Sequence, residues 1–299
     1  MPAGIAGYAG SVIAEGARMS PDIELSAADL EALRRARKQL EQPGIAIQLA
    51  NLAGAPLEHV LHKRLPAAAR RVVDRAVRRS MDAACRAALS TLKDGSAPIA
   101  SRDGLHRLAV VATGAAGGFF GLAGVPVELP VTTTAMLRSI LDIARGEGER
   151  LDDAATRIAC LEVLALGGSS RADDAADTGY FAVRAALAQQ VSAAVNHLAG
   201  KGLADRGAPV MISLVSRIAA YFSIPVSEKV AAQGIPVIGA LSGSALNFVF
   251  ITHFQKMAHG HFTVRRLERQ YGNQCIRDAY AALGRPDDGT SLANTSSLE

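Results

Sequence analysis

From Val230 to Gln255 the chain reads VAAQGIPVIGALSGSALNFVFITHFQ, 26 residues without a Lys, Arg, Asp or Glu. About 20 predominantly apolar residues suffice to cross a bilayer, so this run must either span a membrane or be covered by the rest of the chain. Gly234, Pro236, Gly239, Ser242, Gly243, Ser244, Asn247 and His253 dilute it. A second uncharged run of 20 residues, LAVVATGAAGGFFGLAGVPV, lies at Leu108–Val127. There Gly114 with Gly118, and Gly117 with Gly121, form overlapping G-x-x-x-G pairs, and Gly239 with Gly243 repeats the device. A missing Cβ lets two helix backbones approach closely. Glycine inside a helix costs roughly 0.5–1 kcal/mol relative to Ala, so such a cluster needs a packing reason. The six glycines predict that the two runs pack together as a central hairpin or crossed pair inside a soluble or peripheral protein. Membrane insertion is the alternative.

The rest of the composition agrees with helices packed through small residues: Ala and Gly are abundant, aromatics make up 4% and Trp is absent. With 49% hydrophobic and 20% charged residues in 299, the chain can bury a large core. The fold class expected is all-α, a multi-helix bundle around the glycine-rich pair. Cys85, Cys160 and Cys275 are odd in number and far apart, which reads as reduced thiols in a cytosolic compartment. The first residues lack the positively charged segment that opens a secretory signal.

Ser26 caps a helix that Pro43 and Gly44 end, and a second helix runs from Ile45 to about Leu61, bent near Gly54–Pro56. A long amphipathic helix covers Pro66–Leu92. Pro126 and Pro130, in VPVELP, predict a break or kink before a helix that Thr132, Thr133 or Thr134 could cap. Further helices are predicted at Leu151–Leu166, Tyr180–Leu198, Pro209–Phe222 and Pro225–Gln233, the last helix running to about Leu283. Residues 1–25 read as a flexible lead, 26–94 as a helical extension, 95–283 as the main helical domain and 284–299 as a disordered tail.

Between Leu61 and Val110 there are 11 Lys and Arg against 4 acidic residues. Arg71, Arg75, Arg78 and Arg86 recur along one face of the Pro66–Leu92 helix and are the residues expected to face lipid. The plainer reading is a solvated face with Arg stems lying on apolar neighbours. Nucleic acid is not the expected partner, because no helix-turn-helix signature, metal-finger spacing or aromatic platform accompanies the charge. Glu128, Arg138, Asp142, Glu162, Arg184, Glu228, Lys229 and Arg265 sit in or beside strongly apolar helical text. An unpaired charge there is expensive, so these residues predict a buried polar network. His253, His259 and His261 could converge on a metal only through a break at Gly260, since His259 and His261 lie ~200° apart on a continuous helix. No H-E-x-x-H, C-x-x-C, G-x-S-x-G or phosphate-loop pattern occurs. Glu128 and Glu162 are the only candidates for general acid or base.

Four blocks carry a family resemblance: GGFFGLAGVPVELPVTTTAMLRSILDIARGEGE from Gly117, CLEVLALGG from Cys160, GYFAVRAAL from Gly179, and Ser227–Gly272. In this order they resemble the EcsC family over residues 95–283. The resemblance implies an all-helical fold in a bacterial, membrane-adjacent setting, beside an ATP-binding-cassette transporter, and carries over no catalytic residue and no cofactor. The function expected is therefore a non-enzymatic helical protein at the cytoplasmic face of the bacterial inner membrane, accessory to an ABC transporter or envelope process. Its partner would be an anionic membrane surface or a transporter component. A peptidase-like hydrolase using metal or carboxylate, and a soluble ligand-binding bundle, are the alternatives, and oligomeric state stays open.

Overall fold

The computed structural model describes residues 25–54, 65–90, 124–168, 179–201, 208–233 and 243–284. Among the described residues there are nine helices and no strand: α1 Ala27–Leu40, α2 Ile45–Ala53, α3 Ala67–Ser90, α4 Val125–Gly146, α5 Ala154–Leu166, α6 Gly179–Lys201, α7 Pro209–Gln233, α8 Gly243–Tyr271 and α9 Asn273–Ala282. The chain is all-α, a multi-helix bundle.

Local chemistry sets most helix ends. Ser26 Oγ accepts from the Asp29 backbone N–H at 3.1 Å to open α1, and Asp153 does the same for α5 through Ala155. Gly54 and Gly272, with φ of 63° and 88°, close α2 and separate α8 from α9. The second helix therefore ends at Ala53, the rest of the segment predicted to about Leu61 lying outside the described residues, and the stretch to Leu283 is two helices divided at Gly272.

Of the break or kink predicted at Pro126 and Pro130, the break does not occur, since α4 runs on from Val125 through both prolines. Pro126 falls in the first turn, where its missing N–H would have had no intrahelical partner. Thr133 and Thr134 do not cap. Their hydroxyls donate to the Leu129 and Pro130 carbonyls one turn back, at 2.7 and 2.8 Å. Pro225 likewise sits inside α7 without ending it. It leaves the Tyr221 carbonyl without its helical N–H, and the backbone of Gly168 packs against that oxygen so closely that a Cβ would stand 2.2 Å from it.

The core is built around α4, α5, α7 and α8, and α1, α2 and α3 contribute Leu33, Leu49 and Met81 to the same apolar cluster. Phe222, Phe250 and Phe254 meet at its centre with ring centroids 5.2–6.2 Å apart. α4 and the connection that follows it run parallel to α8 at a constant spacing. Ser139 pairs with Gln255, Glu147 with Thr263 and Glu149 with Arg265, each 116 residues apart. α3 lies along α4 in the same direction, its C-terminal end fixed by Arg157, which donates to Leu89 O at 3.1 Å and to Leu151 O just beyond α4. One end of the bundle thus gathers the starts of α3, α4 and α8 with the end of α7.

The Val230–Gln255 run is divided between the last turn of α7 and the first half of α8, where Leu246, Phe250, Ile251, Phe254 and Gln255 are buried. Among the described helices, the one long and apolar enough to cross a membrane is instead Pro209–Ala232, the body of α7, with a mean hydropathy of 1.5 over its most apolar stretch.

Candidate functional site

Lys229, near the C-terminal end of α7, is the most constrained ionisable group of this bundle end. Its Nζ donates to Glu128 Oε1 at 3.0 Å and to Asn247 Oδ1, and it stands 5.0 Å from the Phe250 ring centroid. Three helix ends, those of α4, α7 and α8, therefore converge on one ammonium. Burial pushes its pKa down, and the Glu128 carboxylate opposes that shift. On the neighbouring residue, Glu228 accepts from the Ala46 backbone N–H at 3.2 Å and supplies the cap that Gly44 cannot provide to α2. Burial raises its pKa against the pull of the Ala46 and Ile45 amides. Glu128, one of the two acid-base candidates, is thus committed to Lys229.

The other end of α8 carries a denser set of charges. Arg184 grips Glu268 with both terminal nitrogens, at 2.7 and 3.0 Å, and donates to Tyr180 Oη at 3.2 Å. Tyr180 Oη lies 3.1 Å from His261 Nδ1. Glu149 binds Arg265, Arg269 and Thr156, and Glu147 binds Arg266 and Thr263. Burial works to raise the Glu149 carboxyl, but the Arg265 guanidinium and its other donors outweigh it and hold the pKa low. Glu162 is buried beside this group with its pKa raised by desolvation, against the pull of Arg184 and Arg265.

The eight residues expected to form one buried network therefore fall into separate places. Glu128, Glu228 and Lys229 belong to one end, and Glu162, Arg184 and Arg265 to the other. Arg138 is exposed on the outer face of α4, and Asp142, one turn on, is half-buried. The partners that complete these pairs, Asn247, Glu268 and Glu149, carry no distinguishing mark in the sequence, because each meets its charge only through contacts between elements 18 to 116 residues apart.

The three histidines do not converge, since α8 continues through Gly260 without a break. His253 is fully engaged: Nε2 donates to Gly167 O at 2.9 Å, and Nδ1 accepts from Gln48 Nε2 at 3.0 Å. Burial lowers its pKa to about 4. His261 is buried with its pKa well below the ordinary value, again through desolvation. His259 is half-buried. No group of three His, Cys, Asp or Glu placed to hold a metal occurs among the described residues. Cys85 and Cys160 are buried and Cys275 half-buried, and none of the three is in a disulfide.

Arg71, Arg75, Arg78 and Arg86 all project from the exposed face of α3, together with Arg70 and Arg79. Where α3 meets α7 a groove of about 450 Å³ opens, with Met81, Cys85, Met211, Val215 and Ala219 among its lining and Arg78, Asp82 and Arg86 on its α3 side. Apolar floor and cationic rim are thus contributed by two neighbouring helices.

Gly114, Gly117, Gly118, Gly121 and Gly239 lie outside the described residues, as do residues 1–24 and 285–299, and Gly243 is the first residue of α8. Close helix contacts are made by glycines that the G-x-x-x-G pattern does not mark. A Cβ on Gly167 would fall 2.3 Å from Phe254 Cε1, and one on Gly260 would fall 2.6 Å from Leu40 Cγ and 2.9 Å from Ala36 O.

Comparison with curated proteins and with solved structures finds no match. The sequence model of the EcsC protein family matches residues 27–267, from the first turn of α1 to the last turns of α8. That match takes in α1, α2 and α3, which share the core with the helices carrying the four sequence blocks. The chain belongs to the EcsC protein family.

Proposed function

We propose that this protein works as a non-enzymatic helical adaptor at the cytoplasmic face of the bacterial inner membrane, accessory to a transporter or another envelope process. The observation that carries this reading is the pairing of α3 with α7. The helix that carries six exposed arginines packs beside the one described helix long and apolar enough to cross a membrane, and the groove between them joins a cationic rim to an apolar floor. Such a surface suits anionic lipid, where each Lys or Arg held near the headgroups contributes ~1 kcal/mol. The carboxylates that could serve a hydrolase are otherwise occupied: Glu128 is bound to Lys229, and Glu162 is buried beside Arg184 and Arg265.

Flotation with vesicles tests the reading. The protein is expected to float with phosphatidylglycerol-containing vesicles at low salt and to be released as salt rises, because exposed charges are screened over about 10 Å at 0.1 M. Replacing Arg71, Arg75, Arg78 and Arg86 together by Gln is expected to weaken binding about 100-fold or more. A protein that stays with the buffer at every salt concentration overturns the proposal.

A further inference from the structure

The described residues expose few large apolar side chains, and three of them stand at one end of the bundle. Val127 is 74% exposed, Val131 50% and Phe248 46%. Val127 and Val131 are one turn apart on α4 and so share a face. Val127 adjoins Glu128 and Phe248 adjoins Asn247, the two residues that hold the Lys229 ammonium. The parallel course of α3 and α4 brings Arg70, Arg71 and Arg75 to the same end, all exposed, against one acid, Asp74. Glu128, which would otherwise repel an anionic surface, is neutralised by Lys229.

Exposed apolar side chains on the starts of α4 and α8, at the same end as three exposed arginines of α3, match a surface that sits in the headgroup and upper acyl layer of an anionic bilayer.

We infer that the end of the bundle formed by the starts of α3, α4 and α8 docks on an anionic bilayer, with Val127, Val131 and Phe248 entering the acyl boundary and Arg70, Arg71 and Arg75 at the phosphates. This rests on the membrane reading above but moves the lipid contact from the α3–α7 groove, which lies in the second half of α3 and the first half of α7, to the N-terminal end of α3. The opposite end, with α9, then points away from the membrane.

The absence of Trp makes the test direct. Full-length Phe248→Trp and Val127→Trp each carry one indole at the docking end, and Gln274→Trp, on the exposed surface of α9, carries one at the far end. With vesicles of phosphatidylglycerol and phosphatidylcholine, emission of the first two is expected to shift to the blue and to be quenched by lipids brominated in their acyl chains, while Gln274→Trp stays unchanged. A Val127→Asp, Val131→Asp double variant that keeps the wild-type melting temperature is expected to lose flotation. If the wild type floats but the shift appears at Gln274→Trp and not at Phe248→Trp, the orientation is overturned while the membrane reading stands. If the wild type never floats, both fall. A blue shift at Phe248→Trp that grows with protein concentration without lipid assigns the face to a second copy of the chain and also overturns the inference.

Discussion

Lys229 and Glu128, 101 residues apart in the chain, meet as a buried ion pair with 3.0 Å between Nζ and Oε1. Removing one member leaves the other charge uncompensated, which typically costs about 3–5 kcal/mol, whereas replacing both by apolar groups is often close to neutral. Lys229→Met and Glu128→Leu are each expected to destabilise the fold by that amount, and the double variant by much less. Denaturant unfolding of the four proteins measures the coupling, and additive losses would refute it.

His253 ties stability to pH. Its folded pKa of about 4 lies below the ordinary 6.5, so the unfolded chain binds a proton more readily than the fold. The stabilisation is complete above pH 6.5 and is lost as pH falls towards 4, by ~3 kcal/mol for a shift of this size. The donor from Gln48 and the acceptor at Gly167 also fix the neutral Nε2–H form. Nitrogen NMR of the ring is expected to show that tautomer throughout the folded range.

Glu162 has the opposite sign. Burial raises its pKa, so its stabilising influence is present at low pH and disappears as pH rises through the raised value. Glu162→Gln imitates the protonated form. It is expected to raise the melting temperature at neutral pH and to have little effect in acid. A loss of stability at neutral pH would show that the ionised carboxylate is what Arg184 and Arg265 require.

Gly260 allows α1 to lie directly on α8. Gly260→Ala would drive a methyl group into Leu40 and the Ala36 carbonyl, an overpacking that typically costs about 1–3 kcal/mol. Gly243→Ala, at the first residue of α8 and half-exposed, is expected to change stability by less. Thermal melts of the two variants distinguish a close-packing glycine from one that merely follows the motif.

Helix type and order were legible in the sequence, because apolar spacing, caps and glycine stops are local signals. The two departures inside helices come from proline. Pro126 costs no hydrogen bond in a first turn, and the carbonyl freed by Pro225 is met by the Gly168 backbone, a tertiary contact that no local pattern announces. The candidate charges were recognisable as residues needing partners, but the partners were not. Asn247 and Glu268 are ordinary helix residues, and Glu149 an ordinary residue of the connection after α4, until α4, α6, α7 and α8 are set side by side. The exposure of Val127 and Phe248 was hidden for the same reason: an apolar residue in apolar text reads as core until its neighbours are placed.

The constant spacing of 116 residues between α4 and α8 also bears on how the chain can change length. A residue inserted between Ser139 and Gly146 inside α4, or between Gln255 and Thr263 inside α8, rotates the helix beyond it by about 100° and separates Glu147 from Thr263 and Glu149 from Arg265 together. An insertion in the connection after α6 moves none of these contacts. Single-residue insertions and deletions should therefore be tolerated in that connection and lethal to folding within the two parallel helices, a pattern that a library of single-residue indels would display directly.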